Sequence, residues 1–163
     1  MSKVTDTDHG AKALLKRMNA LSAGRDLRVG ILGDLAGVPK TSAKGEATAL
    51  TLVEVATIHE FGEGDIPERS FLRAWFDEAS PRITGEIKKA MEKVAAGKVE
   101  LTQAIDLLGA RYAGEIQLRI ARGIDPALAE ATVTRKLATG MGGETPLIAS
   151  GQLRSAVSWD QKG

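Results

Sequence analysis

The residues with the clearest potential for chemistry are His59 and Glu60, in the middle of the sequence. A His-Glu pair begins the zinc-protease signature, in which a second histidine four residues after the first brings both imidazoles to one metal. Here that position is Glu63, and the other histidine of the chain is His9. A metal-dependent hydrolase is therefore a disfavoured alternative. We expect His59 and Glu60 to lie at a helix end and to bond to backbone or to a neighbouring subunit.

The segment from Gly33 to Thr41 (GDLAGVPKT) invites comparison with a phosphate-binding loop. Such a loop needs Gly-Lys-Ser/Thr at the start of a helix, because glycine lets backbone N–H groups approach the phosphates. Lys40 instead follows Pro39, which has no N–H to donate. Serine nucleophiles lack a nearby base in a chain with two histidines, and the carboxylates form no clear acid–base pair. The sequence predicts no enzyme, no cofactor and no metal site.

Amino-acid composition limits the classes of protein to which the chain could belong. The chain has 163 residues, 43% hydrophobic and 26% charged, with a formal net charge of +1 and no cysteine. This length suits one domain, and the absence of cysteine excludes disulfides and thiolate metal sites. We expect no secretory signal and no membrane association, because no apolar run approaches the ~18 residues that a bilayer span needs. A cytosolic product is the simplest expectation.

Basic residues cluster in one region, which leaves a second alternative open. Lys88, Lys89 and Lys93 alternate with Glu86 and Glu92. Mixed signs weaken the attraction for phosphate, so a solvated helix face is the favoured interpretation. A DNA-binding or packaging accessory protein, using residues 88–98 or 111–122, remains the alternative.

The N-terminal elements follow from residue spacing. Asp8 to Ala23 has the i, i+3, i+4, i+7 apolar spacing of an amphipathic helix, and Gly24 is its expected stop. Leu27 to Leu32 alternates as a strand does. From Gly33 to Ala49 the composition becomes small and polar, which predicts a flexible loop at residues 34–49.

Proline and capping residues predict three helices in the middle of the chain. Thr51 and Glu54 have capping-box spacing, so a helix is expected from there to Gly62. Pro67 is expected to begin a second helix that runs to Ala79. Ser80-Pro81 is expected to begin a third that runs to Ala96, because proline at the first helical position loses no hydrogen bond.

The longest amphipathic pattern runs from Leu101 to Arg122. Gly109 inside it costs up to about 1 kcal/mol relative to alanine, so we expect it to mark close contact with another backbone. Asp125-Pro126 is interpreted as a further helix start, and Arg154 to Trp159 as the last strand.

Taken together, these elements predict an α+β fold. A small antiparallel sheet, formed by the first and last strands, has several helices packed on one face, with the long central amphipathic helix among them. One domain covers residues 1–163, with flexible loops at residues 34–49 and 139–146.

Aromatic residues concentrate in one short stretch that contains Phe71, Trp75 and Phe76. Core packing is the default interpretation, and a subunit interface is the alternative, because aromatic residues and arginine are enriched at interfaces. We expect Phe71 to point inward with Leu72, and Arg69 and Arg73 to point outward.

Three stretches of the chain resemble one known group of proteins. IHEFGEGDIPERSFLRAWFDE (residues 58–78) resembles the "IHEFG…IPARPFLR" stretch of tailed-phage tail-completion and virion-morphogenesis proteins. ATVTRK (131–136) and TPLIASGQLRSAVSW (145–159) resemble the "T…RK…TPLIDTGQLRSSISW" ending of the same group. The resemblance covers roughly residues 50–160. Ser70 replaces a frequent proline and Ala149-Ser150 a frequent Asp-Thr, which bears on the sub-family.

The resemblance implies a structural subunit of the phage neck. Such proteins form a ring, taken as a hexamer, at the head-proximal end of the tail, contact other neck, connector and tail tube proteins, and let DNA pass without binding it specifically. It implies a location in the virion after assembly in the host bacterial cytoplasm. The expected subunit interface comprises His59, Glu60, Phe61, Gly62, Ile66, Pro67, Arg69, Arg73, Pro146, Leu147, Gly151 and Leu153.

Overall fold

The computed structural model describes residues 10–41, 46–138 and 151–162 and has the predicted α+β architecture. The helices are α1 (Ala11–Ser22), α2 (Leu52–Phe61), α3 (Arg73–Ala95), α4 (Leu101–Arg122), α5 (Glu130–Ala138) and α6 (Gln152–Ala156). The strands are β1 (Asp26–Ile31), β2 (Pro39–Thr41), β3 (Ala47–Thr51) and β4 (Val157–Lys162), with a 3₁₀ turn at Gly33–Leu35.

The first and last strands pair, as the sequence predicted. β1 and β4 are antiparallel, with Asp26 opposite Lys162 and Ile31 opposite Val157. Arg28 and Asp160 face each other across this pair and form a two-pronged ion pair with distances of 2.7 and 2.6 Å. Pairing of distant segments ties the two ends of the chain together.

The predicted loop at residues 34–49 is largely wrong, because most of its described part is structured. β2 and β3 form a second antiparallel pair, with Pro39 opposite Thr51. The backbone N–H of Leu52 donates to the carbonyl of Val38 at 2.9 Å, which joins this hairpin to the start of α2. Composition misled the prediction because strand preference depends on such pairing more than on residue type. Residues 42–45, and the predicted loop at 139–146, lie outside the described residues.

Helix α4 is the centre of the fold and packs against β1, β4 and α3. Its buried face contributes to two apolar clusters. One joins Ile116 and Ile120 to Phe71, and the other joins Ile105 to Val94. Because both clusters share this helix, the periodicity of Leu101–Arg122 was the most informative pattern in the sequence.

Proline misled the prediction of two helix starts. Residues 67–70 are not helical, and one continuous helix, α3, begins at Arg73 and passes through Pro81. Pro81 deprives the Asp77 carbonyl of its helical donor, but both residues are exposed, so water can replace that hydrogen bond. The predicted start at Asp125-Pro126 is also wrong, since α5 begins at Glu130.

The end of the chain differs from its prediction in a similar way. Arg154 lies in the short helix α6, and the strand begins only at Val157. Leu153 and Ala156 on α6 are buried, so packing against the core selects the helical turn there.

Gly109 lies where α4 approaches the sheet. The predicted neighbour was backbone, but the observed neighbours are the side chains of Trp159 and Leu27. A Cβ at this position would lie 2.6 Å from Cγ of Trp159 and 2.9 Å from Cδ1 of Leu27. Cγ is anchored next to the backbone, so the indole cannot simply swing away.

We expect Gly109→Ala to lower the free energy of unfolding by about 1–2 kcal/mol. Overpacking costs about 1–3 kcal/mol, which exceeds the gain in helix propensity of up to about 1 kcal/mol. Urea unfolding followed by circular dichroism measures the change.

Gly114→Ala is the matched control. Gly114 lies on the same helix, is exposed, and a Cβ there would meet nothing within 4 Å. This variant should gain up to about 1 kcal/mol from helix propensity alone. Equal stability of the two variants would contradict the packing argument.

Candidate functional site

The site begins at the C-terminal end of α2, whose position is set at its other end by a capping box. The backbone N–H of Thr51 donates to the Glu54 carboxylate at 2.7 Å, and the Glu54 N–H donates back to the Thr51 hydroxyl at 3.3 Å. The helix stops at Gly62, which has a φ of 75°. A Cβ on Gly62 would lie 3.0 Å from backbone atoms of Ile66 and Glu68, so the turn requires glycine.

Glu60 is buried at this helix end and organises the following segment. Its carboxylate accepts hydrogen bonds from the Ser70 hydroxyl at 2.6 Å and from the backbone N–H groups of Phe71, Leu72 and Arg73 at 2.9–3.0 Å. Arg73 is the first residue of α3, so its N–H is one of those that a first helical turn leaves without a helical partner, and Phe71 and Leu72 directly precede it. A negative charge there also interacts favourably with the helix dipole. Glu60 therefore caps α3 from another helix.

The environment keeps Glu60 ionised. Burial raises the pKa of this carboxyl, but the hydrogen bonds from Ser70, Arg73, Leu72 and Phe71 outweigh burial and leave the pKa below its usual value. Glu60 is therefore negatively charged in the folded protein, and each of its carboxylate oxygens accepts a hydrogen bond.

Arg73 covers the outside of the same turn. Its Nη2 donates to the carbonyl of Glu60 and to the carboxylate of Glu68, each at 2.7 Å. Its guanidinium also lies 4.5 Å from the ring centre of Phe61, which is 59% exposed. Arg73 is half exposed, as predicted, and braces the segment between α2 and α3.

The prediction that Arg69 points outward is wrong, because the residue is only 4% exposed. Its Nε and Nη2 donate to the carbonyls of Pro126 and Ala127 at 2.6 and 3.0 Å. Its own N–H donates to the carbonyl of His59 at 2.7 Å. The two carbonyls, which precede α5, are the partners of this buried guanidinium. No local sequence pattern predicts that contact.

His59 lies against a group of cations. Burial and then the charges of Lys40, Arg69 and Lys136 lower the pKa of His59 to about 4, so the imidazole is neutral at pH 7. Nδ1 of His59 is buried and has no hydrogen-bond partner among the described residues. Sequence reasoning singled out His59, but it missed Lys40 and Lys136 because they come from β2 and α5.

A polar network links α3 to α4. Trp75 Nε1 donates to Glu115 and the Tyr112 hydroxyl donates to Glu86, each at 3.0 Å. Arg82 pairs with both carboxylates, and Arg111 does the same. Because carboxylates engage Arg111, this network gives no support to the DNA-binding alternative.

A large apolar groove lies between α1, β1, α3 and α4. Its volume is about 1000 Å³, and its lining includes Leu27, Trp75, Phe76, Met91 and Ile105. Phe76 is 55% exposed there. Phe71 is fully buried, as predicted, whereas Phe76 lies at the groove.

Helix α1 carries a second exposed apolar surface. Leu14, Leu15 and Met18 are 45%, 58% and 54% exposed, and no residue of this helix is buried. The helix therefore shows the predicted spacing, but most of its apolar stripe does not enter the core of this chain.

The residues of the predicted interface differ in their exposure. Glu60, Arg69 and Leu153 are buried, so their contacts lie within the chain, while His59, Gly62 and Gly151 are half-buried. The exposed members are Phe61, Ile66, Pro67 and Arg73. Pro146 and Leu147 lie outside the described residues.

No family model, curated protein or solved structure matches the chain. In the part of the chain that the structure describes, no three His, Cys, Asp or Glu side chains are grouped so that they could hold a metal ion. Within the same ranges, none of the helices combines the length and the apolar character that a membrane crossing needs.

We expect Glu60→Gln to lower the free energy of unfolding by about 3 kcal/mol, because it removes a buried charge and sets an amide N–H₂ against backbone donors. Glu68→Gln is the control: Glu68 also pairs with Arg73, but its side chain is 55% exposed. This control should change stability by less than about 1 kcal/mol. Similar losses in both variants, measured by chemical unfolding, would contradict a capping role for Glu60.

His59 gives a distinct pH dependence. Its folded-state pKa of about 4 lies below the ordinary 6.5, so the unfolded chain takes up this proton first as the pH falls. Stability is therefore fully present above pH 6.5 and declines as the pH falls toward about 4. Glu60, whose folded pKa is also lowered, adds a loss only below its ordinary 4.5.

The free energy of unfolding, measured from about pH 7 to about pH 5, should fall in the natural chain and stay nearly flat in His59→Gln. His9→Gln is the control, because it removes the other histidine and leaves His59 in place. A slope that persists in His59→Gln would show that another group causes it.

Proposed function

We propose that the chain is a structural subunit of a tailed-phage neck. It forms a ring at the head-proximal end of the tail, completes the tail and joins it to the capsid. The observation that carries the proposal is the packing together of the first and the last of the three stretches that resemble tail-completion proteins. Phe71 belongs to the first stretch, Leu153 and Val157 belong to the last, and all three lie in one buried cluster.

Polar contacts support the same conclusion. The backbone N–H of Thr41 donates to the side chain of Gln152 at 2.9 Å, and α6 packs against α2. Gln117 on α4 donates to the carbonyl of Val157 at 2.9 Å. Stretches that are far apart in sequence thus form one structural unit, as expected when a shared fold requires them both.

Two separate apolar surfaces suit assembly into a ring. A closed ring uses a heterologous interface, in which two different surfaces of each subunit meet. The groove that contains Phe76 and the exposed α1 face with Leu14, Leu15 and Met18 supply two such surfaces. In the proposed hexamer, the α1 face of one subunit lies in the groove of the next.

The proposed location is the virion, with other neck, connector and tail tube proteins as partners. A formal net charge of +1 suits a channel through which DNA passes without being held. The purified chain should be sized by light scattering, alone and with tail tubes, and the tubes imaged by negative stain. A chain that stays monomeric and never decorates tail ends would overturn the proposal.

We expect Phe76→Glu to weaken ring assembly by at least about tenfold, because it places a charge in an apolar contact. Thr84→Glu, at an exposed position of the same helix, is the matched control and should assemble normally. Sedimentation velocity across a concentration series measures both. Normal assembly of Phe76→Glu would exclude the groove as the interface.

A further inference from the structure

The apolar groove is long enough to receive a helix of the length of α1. Its lining on α3 includes Phe76 near the start of that helix and Met91 near its end. At a helical rise of about 1.5 Å per residue, these two positions lie about 22 Å apart. Helix α1 has 12 residues and is therefore about 18 Å long. The groove can thus hold α1 of a second copy lengthwise, in the manner of helix-in-groove recognition.

The end of the groove beside Phe76 is acidic. Asp77 is exposed and belongs to the lining there, and no ion pair of the described residues involves it. Pro81 leaves the carbonyl of Asp77 without its helical donor, so this residue offers two acceptors. Arg73 lies at the same end but is paired with two other carboxylates. We call this part of the groove the acidic end.

The other end of the groove carries balanced charge. Leu27 packs in the same cluster as Met91, so the start of β1 lies at this end. Arg25 and Asp26, which directly precede Leu27, are exposed members of the lining, and their opposite charges offset each other. Arg28, further along β1, is paired with a carboxylate of β4. We call this part the neutral end.

Helix α1 has a charge asymmetry that matches the groove. Its cations are Lys12, Lys16 and Arg17, all before the last five residues, and the helix contains no carboxylate. The remaining segment, Met18 to Ser22, is uncharged. One half of the helix is therefore basic and the other half is neutral.

The outer side of α1 is the side that a second copy can contact. Arg17 faces its own chain, since a Cβ on Gly97 would lie 3.0 Å from Nη1 of Arg17. Leu15 and Met18 are more than half exposed. Lys12 lies three residues before Leu15, so it borders this exposed apolar stripe.

We propose that α1 of the neighbouring copy enters the groove in one direction, with its basic half at the acidic end and Ser22 at the neutral end. Lys12 then lies beside Asp77, and the positive end of the helix dipole faces the same carboxylate. The reverse direction would set Asp77 against the uncharged half of α1 and bring the cations toward Arg25. This inference rests on the proposed ring and adds the direction of the helix and the pair of residues that selects it.

Cross-linking tests the direction, because the natural chain contains no cysteine. A chain with Lys12→Cys is mixed, in the reduced state, with a tagged chain that carries Asp77→Cys, and the mixture is then oxidised. We expect a mixed disulfide, identified by its mass. Ser22→Cys mixed with Asp77→Cys is the matched control. It should form none, because Ser22 lies about 15 Å along α1 from Lys12 and a disulfide spans at most about 7 Å between Cα atoms.

Charge reversal tests the selecting pair. Asp77→Lys should weaken assembly about threefold to fivefold, the usual scale for an exposed ion pair. Addition of Lys12→Glu to the same chain should restore assembly, because the pair is re-formed with its charges exchanged. Glu92→Lys makes the same charge change at an exposed position of α3 outside the groove lining and should assemble normally. Sedimentation velocity measures all three variants.

The outcomes distinguish this inference from the proposed function. A chain that stays monomeric fails both. A ring in which only the Ser22 pair cross-links, or in which neither pair does, overturns the direction and leaves the ring in place. A disulfide that forms within a single chain carrying both Lys12→Cys and Asp77→Cys, but not between mixed chains, would assign the groove to the chain's own α1. Circular dichroism of each variant establishes that the fold is retained.

Discussion

The buried carboxylate of Glu60 is the interaction on which the central part of the structure depends. A charge in this position is costly unless hydrogen bonds satisfy it. Here the donors are the Ser70 hydroxyl and successive backbone N–H groups at the start of α3. Because these N–H groups need acceptors and the carboxylate needs donors, each satisfies the other. The direction of α3 relative to α2 is fixed as a result.

Several features follow from that fixed direction. The backbone of Phe71 is held by Glu60, and its side chain is fully buried in the cluster that contains Ile120 and Leu153. Arg69, two residues earlier, is turned toward the carbonyls before α5. One side chain thus positions a core residue, a buried cation and the helix that carries Phe76 and the polar network to α4.

Local patterns predicted the parts of the fold that local energetics determine. The spacing of α4, the capping box of α2 and the alternation of β1 were confirmed because each signal lies within a few residues. The start of α3 was missed because its cap comes from Glu60, and proline rules pointed to Pro67 instead. The helix α6 was missed because packing against the core decides it. The β2–β3 hairpin was missed because strand preference depends on pairing more than on residue type.

The same distinction applies to the candidate site and to assembly. Residue type identified His59 and Glu60, but their roles differ. The Glu60 carboxylate accepts from backbone donors, whereas His59 lies near the charges of Lys40 and Lys136. Where α3 meets α4, arginines and carboxylates neutralise each other, so that contact is complete within the chain. The groove and the α1 face expose apolar surface instead. Burial of that surface would provide a driving force for association that the internally paired charges do not.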